Sequence, residues 1–220
     1  MMLALYGHPF SSYTWKAQIA LHAQMLDYEF RVLDADHPEH GEFMATRAGP
    51  QGQFPVLVDG ARTIFEATSI IEYLNLHHPA GWPLIPSDPE AALGVRMMDR
   101  VFDNHVMNVM QRTVNEYIVH PEGPDPAIVA DVRNRLHRSY RWLEQWLEHG
   151  YHGGNRITLI ECAAAPSLFY ADWVEPIAED RYPRLKAWRA QLNRLPEVAR
   201  CIEAARRFRP LFPLGAPDRD

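Results

Sequence analysis

The sequence predicts an α/β domain followed by an all-helical domain, and three observations carry this prediction. The first third of the chain switches between strand-like and helix-like periodicity, in the order βαβ, loop, ββα. Residues 78–87 are rich in proline and glycine, as in an interdomain linker. Beyond them apolar residues recur only at helical spacing. We therefore expect domains over residues 1–77 and 88–220.

The first βαβ unit spans residues 3–33. A short apolar run, residues 3–6, predicts a buried strand, which the cluster of Gly7, His8 and Pro9 ends. Apolar positions at helical spacing predict a helix over 12–25, with Ser11 or Ser12 as its N-cap. Residues 28–33 alternate as a second strand. A helix connecting two strands indicates that they run parallel.

The ββα unit is marked by a hairpin signal. Residues 34–52 predict a surface segment with only a short helix over 42–47. Two strands, 56–58 and 63–65, flank the turn pair Asp59 and Gly60. A helix over 67–76 follows from the apolar spacing.

The remainder of the chain predicts a helical bundle without strands. Asp88 before a proline is an N-cap for a helix that continues to about residue 118. Thr158 and Glu161 have the spacing of a capping box, so we expect them to start a core helix. The predicted helices are 88–118, 127–148, 158–173, 182–195 and 196–208.

Composition excludes several classes of function. The 220 residues are 47% hydrophobic and carry a net charge of −6, so no global positive field exists for nucleic acid or an anionic membrane. No stretch reaches the roughly 20 apolar residues that cross a bilayer, and the start shows no targeting leader. Cys162 and Cys201 are too few for a disulfide framework, which favours a cytoplasmic location.

No metal site is expected. The histidine pairs 37 and 40, and 77 and 78, fit no helix-face or zinc-finger spacing. No cysteine lies close to either pair.

Four segments together resemble the cytosolic glutathione transferases, in particular the serine-type bacterial members. They are YGHPFSSYTWKAQIAL, GQFPVLVDG, IFEATSIIEYL and ITLIECAAAP, in this order and spacing. The resemblance implies a thioredoxin-like N-terminal domain, glutathione as cosubstrate and attack of its thiolate on a hydrophobic electrophile. It also implies a homodimer with a role in detoxification.

Ser11 is the candidate catalytic residue. It lies where a strand is followed by a helix, and free N–H groups at a helix N-terminus favour an anion such as a thiolate. Lowering a thiol pKa of about 8.5 by about two units needs roughly 2.7 kcal/mol, which a hydroxyl hydrogen bond of about 1.5–3 kcal/mol supplies. The resemblance implies that Ser11 donates to glutathione's sulfur. Tyr6, Ser12 and Tyr13 remain alternatives.

Gln53, Phe54 and Pro55 are candidate glutathione ligands. A proline before a strand has no N–H for the sheet, and in a cis turn it leaves the Phe54 backbone open to an extended peptide. The resemblance implies that Phe54 pairs its main chain with the cysteinyl part of glutathione. The Gln53 amide is placed to reach the glycyl end.

The third segment departs from the family pattern. An acidic residue followed by serine is usual there, but this chain has Glu66 and Ala67. The missing hydroxyl costs about 1.5–3 kcal/mol unless Thr68 replaces it. The Ala67 N–H remains available to a carboxylate, so we expect weakened glutathione binding.

Other functions stay open at this point. The stretch of residues 11–15 is similar to the class that includes glutathione-dependent isomerases, and a dehalogenase is also compatible. A non-catalytic interaction protein is the alternative from another class, and Ala67 is its main support. Six apolar residues of the first long helix are candidates to line the electrophile pocket: Met97, Met98, Phe102, Val106, Met107 and Met110.

Overall fold

The first part of the chain is built on a four-stranded mixed sheet with strand order β2-β1-β3-β4. The computed structural model describes residues 2–151 and 156–220. β1 pairs parallel with β2 and antiparallel with β3, which forms the hairpin with β4. The predicted parallel pair and hairpin are therefore confirmed. The strands are β1 (Leu3–Gly7), β2 (Tyr28–Val32), β3 (Val56–Asp59) and β4 (Arg62–Phe65).

Helices cover both faces of this sheet. Alternation along the strands sends Leu5 and Leu57 into the main core and Tyr6 and Val56 into a smaller cluster on the other face. The main core also receives the buried sides of two helices, and Met44 of a third helix fills the smaller cluster. The helices are α1 (Ser12–Ala23), α2 (Pro38–Arg47) and α3 (Ala67–His77).

The fold agrees with the predicted thioredoxin-like unit except at α2. This helix begins at Pro38, four residues before the stretch predicted from the sequence. Proline is favoured in the first turn of a helix because the N–H groups there have no intrahelical acceptor. The missing N–H of Pro38 therefore costs no hydrogen bond, and the helix begins at this residue.

Residues 78–88 connect the two parts without forming a helix or strand. Leu84 and Ile85 are nevertheless buried, and the Leu84 carbonyl accepts a hydrogen bond from the Leu159 N–H at 2.9 Å. The segment is thus packed against the helical part. The exact domain division at 78–87 stays a prediction.

The second part consists of helices and connecting loops, with no strand among its described residues. Its centre is the fourth helix of the bundle, which starts at the predicted Thr158 and Glu161 capping box and is buried over nearly its whole length. This central helix packs against α1 of the first part. The helices are α4 (Pro89–Val101), α5 (Asn108–Val119), α6 (Pro126–Glu148), α7 (Leu159–Val174), α8 (Pro183–Arg194) and α9 (Pro196–Ala205).

Two helices of the second part differ from their predicted lengths by three residues or more. The run predicted as one helix to residue 118 is interrupted by a π-helical turn, Phe102–Met107, between α4 and α5. α9 ends at Ala205 and continues as a 3-10 turn, Arg206–Leu211, because Pro210 cannot supply the N–H of an α-helix. Within residues 2–151 and 156–220, no helix has the length and apolar character needed to cross a bilayer.

Candidate active site

A cleft of about 860 Å³ separates the sheet-containing part from the helical part. Most of the residues predicted to form the site line this cleft. They are Ser11, Gln53, Phe54, Pro55, Glu66 and Ala67, together with the alternatives Ser12 and Tyr13. The structure therefore brings together three segments that are far apart in sequence.

Ser11 is placed by the tight connection between β1 and α1. At the end of β1 a Cβ on Gly7 would meet the Thr14 hydroxyl at 2.6 Å, so only glycine allows the strand to approach α1 this closely. Ser11 is the N-cap of α1, and its Oγ accepts a hydrogen bond from the Thr14 N–H at 3.2 Å. Among the described residues no acceptor takes the hydroxyl proton of Ser11, so it can be donated to a ligand, and accepting one hydrogen bond strengthens the hydroxyl as a donor.

The alternative residues divide into two groups. Tyr6 is buried on the opposite sheet face, where its ring stacks on Phe43 with centroids 4.2 Å apart and its hydroxyl accepts from Arg31. Tyr13 lines the cleft, and its hydroxyl donates to Asn108 Oδ1 at 3.0 Å. Burial, reinforced by the Asp103 carboxylate, raises the pKa of Tyr13 well above its usual value. Tyr13 therefore remains a protonated donor.

The segment before β3 presents main chain to the cleft. The Phe54–Pro55 peptide bond is cis, and Gln53 and Phe54 both line the cleft. The Phe54 side chain is 40% exposed. Strand pairing begins at Val56, two residues later, so Phe54 lies just outside the sheet ladder.

The start of α3 forms the neighbouring wall. Glu66 is the residue before the helix and has φ +67°, a backbone conformation that side chains rarely adopt. Ala67 is the first helical residue and is buried against the cleft. The first N–H groups of a helix have no intrahelical acceptor, so this terminus offers donors to an anionic group.

Thr68 is the one predicted ligand that does not line the cleft. Its hydroxyl accepts from Lys16 Nζ at 2.9 Å and donates to Asp99 Oδ2 at 3.0 Å. Arg100 also donates to this hydroxyl. Three charged partners therefore hold the Thr68 hydroxyl away from the space into which it was predicted to rotate.

These side chains form a network, which we call the Lys16 cluster: Lys16, Thr68, Asp99, Arg100 and Asp103. Lys16, Asp99 and Asp103 are buried, whereas the Arg100 side chain is half exposed. Lys16 is 1% exposed and contacts a carboxylate oxygen of Asp103 at 2.8 Å. Arg100 contacts the other Asp103 oxygen at 2.8 Å. Burial raises the pKa of Asp103, and Lys16 opposes that shift. The cluster joins α1 and α3 to α4 and the π-helical turn beneath the cleft.

Sequence reasoning missed the polar residues that the helical part contributes. Arg100, Asp103 and four amide side chains of the π-helical turn and α5 line the cleft. The only sequence signal was the spacing of the amides, three or four residues apart, which a solvent-facing helix shows equally well. The amides are Asn104, Asn108, Gln111 and Asn115.

Apolar side chains also line this half of the cleft. Of the six apolar residues predicted from the first long helix, Met110 lines the cleft, whereas Met97 is 55% exposed elsewhere and the other four are buried. The segment after α9 contributes further apolar side chains. The apolar lining comprises Phe10, Met110, Val114, Ile118, Leu211, Phe212 and Pro213.

Cysteine and metal chemistry find no support in the described ranges. Cys162 and Cys201 are free and buried, and burial raises the pKa of both thiols. Across those ranges, no three histidine, cysteine, aspartate or glutamate side chains are grouped to hold a metal ion.

Both parts of the chain match known family models. Residues 5–82 match the glutathione S-transferase N-terminal domain, and residues 106–196 match the glutathione S-transferase C-terminal domain. These ranges include the cleft residues before α4 and those from Asn108 to Tyr170, whereas Arg100, Asp103, Asn104 and the segment that follows α9 lie outside them.

Individual proteins named as glutathione transferases or as a maleylacetoacetate isomerase are also similar to this chain over most of its length. A probable maleylacetoacetate isomerase from Vibrio cholerae serotype O1 is 29% identical over 219 residues, covering 90% of this chain and 94% of that protein. Glutathione S-transferase 1 from Dianthus caryophyllus is 29% identical over 170 residues, covering 76% of each chain. The crystal structure of glutathione transferase F7 from Populus trichocarpa superposes with a TM-score of 0.76 at 26% identity, covering 92% of this chain and 99% of that chain.

Fold and site together define a thioredoxin-like protein that carries a helical bundle and has a cleft with two helix N-termini between the parts. The two family models identify it further. The chain belongs to the glutathione S-transferase family.

Proposed function

We propose that this protein is a glutathione transferase in which Ser11 stabilises the glutathione thiolate for attack on an electrophilic carbon. The observation that carries the proposal is the position of Ser11, whose hydroxyl caps α1 and lines the cleft. A thiolate at this place receives the Ser11 hydrogen bond and the positive end of α1. Ser11 acts as a donor and forms no covalent bond.

The tripeptide lies along the remaining predicted residues. Phe54 pairs its main chain with the cysteinyl unit, Gln53 reaches the glycyl end, and Glu66 faces the γ-glutamyl amino group. The N–H groups at the start of α3, beginning with Ala67, hold the γ-glutamyl carboxylate. Thr68 acts indirectly, since its hydroxyl is bonded to Lys16 and Asp99.

The test is ultraviolet absorbance of bound glutathione thiolate against pH. We expect the wild type to lower the thiol pKa of bound glutathione by about two units from about 8.5. In Ser11→Ala, we expect the thiol pKa to rise most of the way back to that value. The kcat/KM of Ser11→Ala should fall about 10- to 100-fold, as expected for a lost hydrogen bond to a charged group.

Two further variants sharpen this test. Ser12→Ala addresses the neighbouring hydroxyl, and Ser87→Ala removes an exposed hydroxyl outside the cleft as a matched control. Glutathione that binds with an unshifted thiol pKa would support the non-catalytic alternative. If kcat/KM falls and the thiol pKa rises in Ser12→Ala but not in Ser11→Ala, Ser12 is the residue that stabilises the thiolate.

A second candidate is a glutathione-dependent isomerase, favoured by the alignment of the probable maleylacetoacetate isomerase over most of this chain. In an isomerase the thiolate adds to the substrate and leaves again, so the total thiol concentration is unchanged. A transferase consumes one thiol per turnover. Thiol titration during turnover separates the two reactions, and halide release without net loss of thiol would identify a hydrolytic dehalogenase.

We also propose a cytoplasmic homodimer with a role in detoxification. Two free, buried thiols support a reducing location. Phe65 on β4 and Leu93 and Met97 on α4 are large apolar side chains that the single chain leaves exposed, and they support self-association. Sedimentation of the purified protein measures the assembly directly.

A further inference from the structure

A smaller cavity, which we call the rear cavity, lies between the two parts of the chain at the other end of α1 from Ser11. Its volume is about 260 Å³, less than a third of the 860 Å³ of the cleft, and the two share no lining residue. The 12 residues of α1, at about 1.5 Å each, place it roughly 18 Å from Ser11. The end of α1, the connecting segment and the helical part form its walls, through Ala23, Gln24, Trp82, Arg156, Leu195 and Glu197.

One wall of the rear cavity is an arginine stacked on a tryptophan. The Arg156 Cζ lies 3.5 Å from the centroid of the Trp82 ring. The Trp82 carbonyl accepts a hydrogen bond from Nε2 of the buried Gln24 at 2.7 Å, which fixes the main chain that carries this ring. Stacking uses the face of a guanidinium group and leaves the N–H groups in its plane. Among the described residues no acceptor takes them, so they are available to an anionic group of a ligand.

The opposite charge comes from Glu197, which lies in the first turn of α9. Its main-chain carbonyl accepts from His22, but its carboxylate has no hydrogen-bond or ion-pair partner within residues 2–151 and 156–220. Burial lowers the pKa of His22, so this ring is uncharged at neutral pH and does not neutralise the carboxylate. Glu197 therefore presents an unpaired negative charge to the rear cavity.

The end of α1 adds acceptors for a cation. The last carbonyl groups of a helix have no intrahelical donor and carry a partial negative charge. α1 ends at Ala23, which lines the rear cavity. Arg156 and Glu197 line the same cavity, yet in the part of the chain that the structure describes they form no ion pair with each other. A ligand that carries both charges therefore complements this cavity better than one that carries a single charge.

We propose that the rear cavity binds a free amino acid with an apolar side chain. The carboxylate of the amino acid pairs with the in-plane N–H groups of Arg156, and its ammonium group faces Glu197 and the last carbonyls of α1. Its side chain packs against Leu195. A simple carboxylate or a simple amine would leave one of the two charged residues without a partner. The rear cavity is separate from the cleft, so the proposal does not depend on the chemistry of Ser11.

Calorimetry with three ligands that share a phenyl ring tests the proposal. L-phenylalanine carries both charges, N-acetyl-L-phenylalanine carries only the carboxylate, and L-phenylalaninamide carries only the ammonium group. We expect L-phenylalanine to bind with a Kd of about 1 mM or lower, and each of the other two to bind at least about tenfold more weakly. The Tm should rise with the concentration of L-phenylalanine, because a ligand of the folded state stabilises that state.

Two variants assign the two contacts separately. Arg156→Gln should raise the Kd of L-phenylalanine at least about tenfold and leave the Kd of L-phenylalaninamide within about twofold. Glu197→Gln should also weaken L-phenylalanine at least about tenfold, but leave the Kd of N-acetyl-L-phenylalanine within about twofold. Arg181→Gln is the matched control, because Arg181 is an exposed arginine over the Tyr182 ring that lines neither cavity.

Three results would overturn the proposal. They are no binding of L-phenylalanine at about ten times the expected Kd, equal Kd values for the three ligands, and unaltered binding of L-phenylalanine in Arg156→Gln. The third result, together with a loss of binding in Glu66→Gln, would place the amino acid in the cleft, which Glu66 lines.

Discussion

Ala67 is the residue at which this cleft departs most from its family pattern. The helix N-terminus and the Glu66 carboxylate are retained, but the usual hydroxyl is absent. The Thr68 hydroxyl is hydrogen-bonded to Lys16, Asp99 and Arg100, so we expect that it does not replace the missing hydroxyl. We infer that the γ-glutamyl carboxylate of glutathione is held by the N–H groups at the start of α3, without a side-chain hydroxyl.

Restoring the hydroxyl should strengthen glutathione binding. Ala67→Ser places a hydroxyl at the first position of α3, and one added hydrogen bond to a carboxylate is worth about 1.5–3 kcal/mol. We expect calorimetry to give a Kd about tenfold lower or better. Ala61→Ser, on the exposed hairpin turn, is the control and should leave the Kd unchanged. An unaltered Kd in Ala67→Ser would show that the carboxylate binds elsewhere.

Single residues were predictable from the sequence where the signal was local. Ser11, Pro55 and Glu66 stand beside strand ends and helix starts, which their neighbours in sequence mark. Lys16 gave no such signal, because an isolated lysine in a helix is normally a surface residue. Its burial depends on two aspartates of α4 and the π-helical turn, which are more than eighty positions away.

Among the elements, α7 depends most clearly on a local sequence device. Thr158 Oγ1 accepts from the Ile160 N–H at 3.2 Å, and the Glu161 carboxylate accepts from the Thr158 N–H at 2.8 Å. Glu161 is fully buried, and the Thr158 N–H and hydroxyl both donate to its carboxyl oxygen Oε2.

Thr158→Ala should destabilise the protein without altering the cleft. An N-cap threonine is worth about 0.5–2 kcal/mol, and the loss of the Thr158 hydroxyl as a donor to Glu161 places the expected value near the upper end. Urea unfolding measures the change, with Thr46→Ala on the exposed side of α2 as the matched control. Glutathione affinity of the folded protein should stay constant. An unchanged midpoint of unfolding would contradict the role of the cap.

The π-helical turn shows what sequence periodicity does not reveal. Apolar spacing continues through residues 102–107, so the pattern predicted an unbroken helix. The π-helical turn nevertheless places Asp103 beside Lys16, and Asn104 and Asn108 line the cleft. Because side-chain contacts from the other part of the molecule accompany this geometry, the sequence of the helix alone could not indicate it.

At the scale of the whole molecule, the Lys16 cluster connects the two parts of the chain. Removing one partner of a buried ion pair leaves an unpaired charge in the interior and lowers the free energy of unfolding by about 3–5 kcal/mol. An exposed ion pair contributes only about 0–1 kcal/mol to that free energy. The contribution of this cluster to the free energy of unfolding can therefore be compared with that of a surface ion pair in the same protein.

Lys16→Met removes the central cation and leaves Asp99 and Asp103 buried with Arg100 alone. We expect a loss of about 3–5 kcal/mol in the free energy of unfolding. Arg112→Met, which removes the half-exposed pair with Asp131, should cost less than about 1 kcal/mol. Both values come from urea unfolding at one pH. Similar losses in the two variants would mean that the buried cluster is no more stabilising than a surface pair.

The burial of Lys16 also affects how the protein responds to chemical labelling. The chain contains only two lysines, Lys16 and Lys186, and Lys186 pairs with the buried carboxylate of Asp172 at 3.1 Å. An amine-reactive reagent thus finds few accessible targets on the native molecule. Acylation of Lys16, followed by mass spectrometry over time, would report how often the two halves separate.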